Sequence, residues 1–224
     1  MKRLGLCLLL LASLCVSSIA ATGSEPRVAV FLAPKWAMGS EFLDLLDEFD
    51  ELNVAVDVVS AKLGSYTFWE DSTEGFMSGA LQNYYDWTIT RTYEEFVLEG
   101  YDAVIMGPGH AHTVWIGKTD PMARDLVELA VQQGIPVGGV SFGAAVIVSW
   151  GFLDGRSAAM PPYYQGVVTQ GTNKAMFLSE FPDVTFENST IWVDQTTGVT
   201  PIVTACYGAV RRFARELLAI IQAN

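Results

Sequence analysis

Cysteine, histidine and basic residues are all in short supply in this chain, and each shortage removes a class of answer. Of the three cysteines, Cys7 and Cys15 lie in the first twenty residues, and only Cys206 falls in the body of the chain. The two histidines, His110 and His112, share one turn, and no Cys-x-x-Cys spacing accompanies them. A structural or catalytic metal needs three or four ligands, so we expect no metal site and no cofactor. Lysine and arginine together number 13 against 25 acids. A chain this acidic repels nucleic acid and anionic lipid, and its charge favours solubility. Internal repeats, low-complexity tracts and linkers are also missing, which leaves one continuous domain as the simplest reading.

Long apolar runs are missing too, apart from one at the start. Residues 1–20 open with Lys2 and Arg3, continue through an apolar run at 4–16, and finish at Ser18-Ile19-Ala20, with small residues where a signal peptidase reads. That run is too short to span a bilayer, so we expect a cleaved secretory signal and a periplasmic or secreted protein with no stable membrane insertion after cleavage. Cys15 also fits a lipoprotein anchor, although Leu14 before it is bulky for that purpose. Taking Lys2 and Arg3 from the 13 basic residues leaves 11 against 25 acids, a net charge of −14. Cys206 would then be the only mature cysteine, which excludes an internal disulfide. Residues 26–224 then form the expected domain, enough for one α/β unit with a sizeable core.

What is present is a rhythm of strands and helices. Residues 28–32 form an unbroken apolar run, as in strands covered on both faces. Ser40 can cap a helix whose Phe42, Leu45, Leu46 and Phe49 share one face, and 54–59 reads as the next strand. Residues 62–87 break the pattern with Tyr66, Phe68, Trp69, Phe76, Tyr84, Tyr85 and Trp87 among small and acidic residues. We expect an ordered, aromatic-rich insertion at about 62–90, serving as a lid or else as a satellite core or subunit contact. A strand at 103–106 leads into Gly107-Pro108-Gly109-His110, and Asp120-Pro121 starts a helix with Met122, Leu126, Leu129 and Ala130 inward. Strands at 190–193 and 202–204 follow, then a helix from Ala209 with Phe213, Leu217, Leu218 and Ile221 inward and Arg211, Arg212 and Arg215 outward. Such alternation predicts an open, mostly parallel sheet with helices on both faces and a ligand site at the carboxyl ends of the strands.

The stretch that organises the rest is 134–156, GIPVGGVSFGAAVIVSWGFLDGR. Gly134 stops a helix, 135–140 reads as a strand, 143–150 as an apolar helix, and Gly151 ends it. Between strand and helix, Gly139-Val140-Ser141-Phe142-Gly143 spells G-x-S-x-G, a nucleophile elbow that holds a polar side chain on a strained turn. The pattern also arises in Gly-rich turns for packing alone.

Taken together, AVFLAP at the first strand, YDAVIMGPG, IPVGGVSFG, WGFLDGR and the closing IVTACYGAVRRFARELL resemble the DJ-1/PfpI family of the class I glutamine amidotransferase-like superfamily. The resemblance covers essentially the whole chain beyond the leader. It implies a flavodoxin-like three-layer α/β/α sandwich, and a family that commonly forms homodimers. The family usually carries a cysteine followed by a histidine at the elbow, where this chain has Ser141 and Phe142. It also sets a glutamate just after the first strand, and ungapped alignment puts Met38 there. A hydroxyl needs a neighbouring base where a thiolate does not, so the family's cysteine chemistry should be absent at Ser141.

Two function classes follow. One is a pseudoenzyme-like domain that keeps a pocket for a small-molecule ligand around Ser141, Gly109, His110 and Cys206. The other is a hydrolase or amidase with Ser141 as nucleophile, His110 as base, and the N–H groups of Gly109 and Phe142 as oxyanion donors. No carboxylate to orient the imidazole is evident, since Glu41 and Asp44 lie on the first helix with no assigned neighbours. His110 and His112 equally suit a polar pair decorating a turn, and Cys206 suits a small buried hydrophobe. Asn188-Ser189-Thr190 is a glycosylation triplet, meaningful in a eukaryotic host.

Overall fold

The computed structural model describes residues 25–32, 39–69, 84–89, 91–109, 121–159, 181–206 and 208–224. The expected leader, Met38, His110, His112 and Asp120 fall outside those residues. A seven-stranded sheet is the centre of the molecule, in the order β10, β11, β7, β6, β1, β2, β5. Its strands are β1 (Arg27–Leu32), β2 (Ala55–Ser60), β5 (Arg91–Thr92), β6 (Ala103–Met106), β7 (Val137–Val140), β10 (Ile191–Asp194) and β11 (Ile202–Ala205). All pairings are parallel except β10 with β11, so the sheet is mostly parallel with one antiparallel edge.

The two-residue period of a strand divides the core into two layers. Val28, Val30 and Leu32 of β1 join Phe42, Leu45 and Phe49 of α1 (Gly39–Glu51) and Phe213 and Leu217 of α4 (Val210–Ala223) on one face. Ala29 and Phe31 point the other way, toward Ala123 and Val127 of α2 (Pro121–Gln132) and Val146 and Ile147 of α3 (Phe142–Ser149). The expected three-layer α/β/α sandwich is therefore present. Among the described residues no helix is long and apolar enough to cross a membrane.

Several boundaries differ from expectation for local reasons. Ser40 lies inside α1, which starts at Gly39, so it is not the cap. On α2 the buried stripe is Ala123, Val127 and Ala130, whereas Met122 and Leu129 are exposed. Small side chains at that spacing let the helix lie close to the sheet, and the larger residues are turned to its outer flank. Ile220 is buried at the end of α4, with Ile221 only partly so. The strand predicted at 135–140 is shortened to β7, because the N–H of Ile135 closes the end of α2 on the Ala130 carbonyl. Gly134, at φ 75°, makes that exit possible.

The interruption after β2 contains an antiparallel pair, β3 (Gly64–Trp69) with β4 (Tyr84–Ile89), which is separate from the main sheet. Residues 70–83 between them lie outside the described part. A further small sheet joins β8 (Ser157–Ala159) to β9 (Thr185–Glu187).

Candidate functional site

The turn from β7 into α3 is tight because three glycines make it so. A Cβ on Gly138 would stand 2.5 Å from the Phe213 ring, and one on Gly139 would stand 2.7 Å from the Ala144 backbone. Bare backbone at these two places lets α4 and α3 press onto opposite faces of β7. Gly143 is the most constrained, since a Cβ there would lie 2.2 Å from the Met106 carbonyl oxygen and 2.6 Å from that of Gly107. The first turn of α3 thus rests on the carboxyl end of β6.

Between them, Ser141 is held at φ 55° and ψ −123°. A side chain rarely adopts that backbone shape, and it persists only where the surroundings force it. Here the forcing is visible: the Ser141 N–H donates to the Ala205 carbonyl at 2.8 Å, and its own carbonyl accepts from Ala144 at 3.2 Å. The Ser141 side chain makes no capping hydrogen bond to α3, although it stands at the position where serine usually does so. It is 2 % exposed. The sequence-predicted elbow is therefore real in its backbone, and its serine is buried.

Neighbouring strands end at the same level. Gly107 donates to the Phe31 carbonyl at 2.9 Å, and the hydroxyls of Ser60 and Tyr93 both donate to the Leu32 carbonyl, at 2.8 and 3.1 Å. Gly109, buried at φ 133°, lies three residues past the end of β6. Phe142 opens α3, so the N-terminal N–H groups of that helix gather at the elbow. These are the two residues expected to donate to an oxyanion.

Cys206 follows β11, fully buried. Its thiol donates to the Thr190 carbonyl at 3.0 Å, and its N–H donates to the same oxygen at 2.9 Å. Burial pushes the thiol up to about 12, and the negative charge of Glu41 adds to that. A thiol so held stays protonated and is a poor nucleophile. Of the two readings the sequence allowed, the small buried hydrophobe is the one these contacts support.

Glu41 is the residue that sequence reasoning named without locating. It lies in the first turn of α1, only 3 % exposed, and near enough to Cys206 to act on its thiol. Asp44, three residues on, is exposed and pairs with Arg211. A buried carboxylate thus stands in the first turn of the helix that follows β1, three positions after Met38. The signal was available in the helix period. Glu41 shares its stripe with Leu45 and Glu48, and an acid in line with core residues is buried with them. The end of β11 thus connects the two: the Ser141 backbone is tied to Ala205, and the charge of Glu41 is felt at Cys206.

Comparison with known proteins identifies the fold and the family. The sequence profile of the DJ-1/PfpI family matches residues 26–220. Among solved structures, a ThiJ/PfpI domain protein from Brachyspira murdochii superposes with a TM-score of 0.65 at 14% identity, covering 88% of this chain and 97% of that one. A variant of a DJ-1 superfamily protein from Salmonella typhimurium gives 0.65 at 18% identity over 89% and 91%. The oxidized form of Toxoplasma gondii DJ-1 gives 0.64 at 16% over 88% and 90%. No curated protein sequence matches. At these identities the solved structures speak for the fold, and the profile, spanning most of the chain, shows that the chain belongs to the DJ-1/PfpI family.

Proposed function

We propose that this is an exported DJ-1/PfpI domain in which the elbow binds a small ligand through a hydroxyl, without the thiol chemistry usual in the family. The observation that carries the reading is Ser141 itself: a strained backbone at φ 55° and ψ −123° holds a side chain that does no structural work as a cap. Strain of this kind costs on the order of 1–3 kcal/mol and is retained where a site uses it. Cys206 supplies no replacement thiolate, because its proton is held up to about 12. The turn after β6, with the buried Gly109 at φ 133°, offers the ligand backbone polar groups beside the elbow.

Export rests on the leader at 1–20, which would deliver the chain to the periplasm or outside the cell. The alternative, a hydrolase using Ser141 and His110, draws on the same elbow geometry. Ligand-observed NMR with small carboxylates and carbonyl compounds separates the readings. Binders that are displaced in Ser141→Val, with no fluorophosphonate labelling of the native protein, fit the ligand-binding domain. Labelling that vanishes in Ser141→Ala would replace it with the hydrolase. Binders indifferent to Ser141→Val would remove the elbow as the site.

A further inference from the structure

The chain contains one Asn-x-Ser/Thr triplet, Asn188-Ser189-Thr190, and it falls in a place fitted to carry a glycan. Asn188 is exposed, in the bend that leaves β9 and enters β10. Thr190, whose hydroxyl the transferring enzyme reads, is exposed as well. Ser189 between them is turned inward to serve the fold: its hydroxyl donates to the Ile191 carbonyl at 2.6 Å and accepts the Ile191 N–H at 3.3 Å. The Thr190 carbonyl is fixed by the N–H and thiol of Cys206. Backbone contacts therefore anchor the bend, while the two side chains that define the triplet face water.

From this we infer that Asn188 is an N-linked glycosylation site, carrying one oligosaccharide beside the edge strand of the main sheet. The inference rests on the secreted form of the export reading, because the modification needs passage through the secretory pathway of a eukaryotic host. In the transfer, the Asn188 carboxamide nitrogen forms a bond to the anomeric carbon of a lipid-pyrophosphate-linked oligosaccharide. The bond from that carbon to the phosphate oxygen breaks, the lipid pyrophosphate leaves, and the amide gives up one proton. Nothing at Asn188 has to move to admit the sugar, since the group is bulky and hydrophilic and the site already lies in solvent. β10 pairs with β11 on one side and is the last strand of the sheet. A glycan at its start would hinder strand addition at that edge.

The test is expression of the full chain in eukaryotic cells, once with its own leader and once with a leader of the host. Transfer occurs during translocation, so even a retained chain reports the glycan in the lysate. The expected result is a single endoglycosidase-sensitive step in apparent mass, mapped to Asn188 by peptide mass. That step is lost in Asn188→Gln and in Thr190→Ala, and kept in Ser189→Ala. A step seen only with the host leader would sink the export reading and leave Asn188 standing as an acceptor. Absence of the step with both leaders, or its persistence in Asn188→Gln, overturns the inference.

Discussion

At the scale of single residues, the conformation of Ser141 makes a claim that stability can check. Its backbone lies where glycine is at ease and other residues are not. Ser141→Gly should therefore fold more stably than Ser141→Ala by about 1 kcal/mol, since glycine relieves the strain and gives back part of the gain as extra freedom in the unfolded chain. Both variants lose the hydroxyl equally, so the difference isolates the backbone. Urea titration reads it, and equal midpoints would mean that the turn relaxes without strain. Cys206 makes the complementary case. A thiol held up to about 12 by burial and by Glu41 should resist iodoacetamide in the native protein at mildly alkaline pH and react only on unfolding. Rapid native labelling would show that the end of β11 opens readily.

Where elements meet, the decisive contact is α3 on β6. Gly143→Ala sets a methyl group 2.2 Å from one backbone oxygen and 2.6 Å from another, and neither can rotate away as a side chain can. We expect a loss of about 3 kcal/mol or more, with the elbow displaced. Gly138→Ala meets only the tip of the Phe213 ring and should lose less, the ring shifting within its layer. Thermal melts of the two variants test the order. This is also where the sequence was most informative. The elbow, the β1 core run and the arginine face of α4 were all legible, because glycine spacing and apolar period act locally. The inward stripe of α2 was misjudged, since periodicity alone cannot say whether small or large residues face the sheet. Glu41 escaped for a related reason. Its burial goes with α1 packing against α4, a contact between segments far apart in the chain.

Over the whole molecule, one buried ion pair ties together parts that the sheet alone leaves separate. Arg156, which precedes β8, donates to Asp194 at the end of β10 and to the Thr200 carbonyl before β11. The same carboxylate accepts the N–H of Ser157 and both the N–H and hydroxyl of Thr196. Side-chain exposure is 11% for Arg156 and 5% for Asp194, so the pair is shielded from solvent. Burial by itself would raise the Asp194 carboxyl. The bonds from Ser157, Thr196 and Arg156 outweigh it and bring the group down to about 2 from 3.8. A carboxyl depressed on folding stabilises the fold fully above its unfolded value and loses that contribution as pH falls toward its folded one. The window therefore runs from 3.8 down to about 2, and the amount is on the order of 2 kcal/mol. Asp194→Asn should be less stable at neutral pH by about 3–5 kcal/mol, because Arg156 keeps its charge in a buried place without an anion. Across the acid window the gap between the two proteins should narrow, since the wild-type carboxyl is then being protonated as well. Comparing variant with wild type cancels the general effect of neutralising so acidic a surface, which acts on both alike. Urea unfolding followed from neutral pH into that window measures the gap directly. A gap that stays constant throughout would mean that Asp194 titrates alike in the folded and unfolded chains, and that the β8, β10 and β11 segments are held together by packing alone.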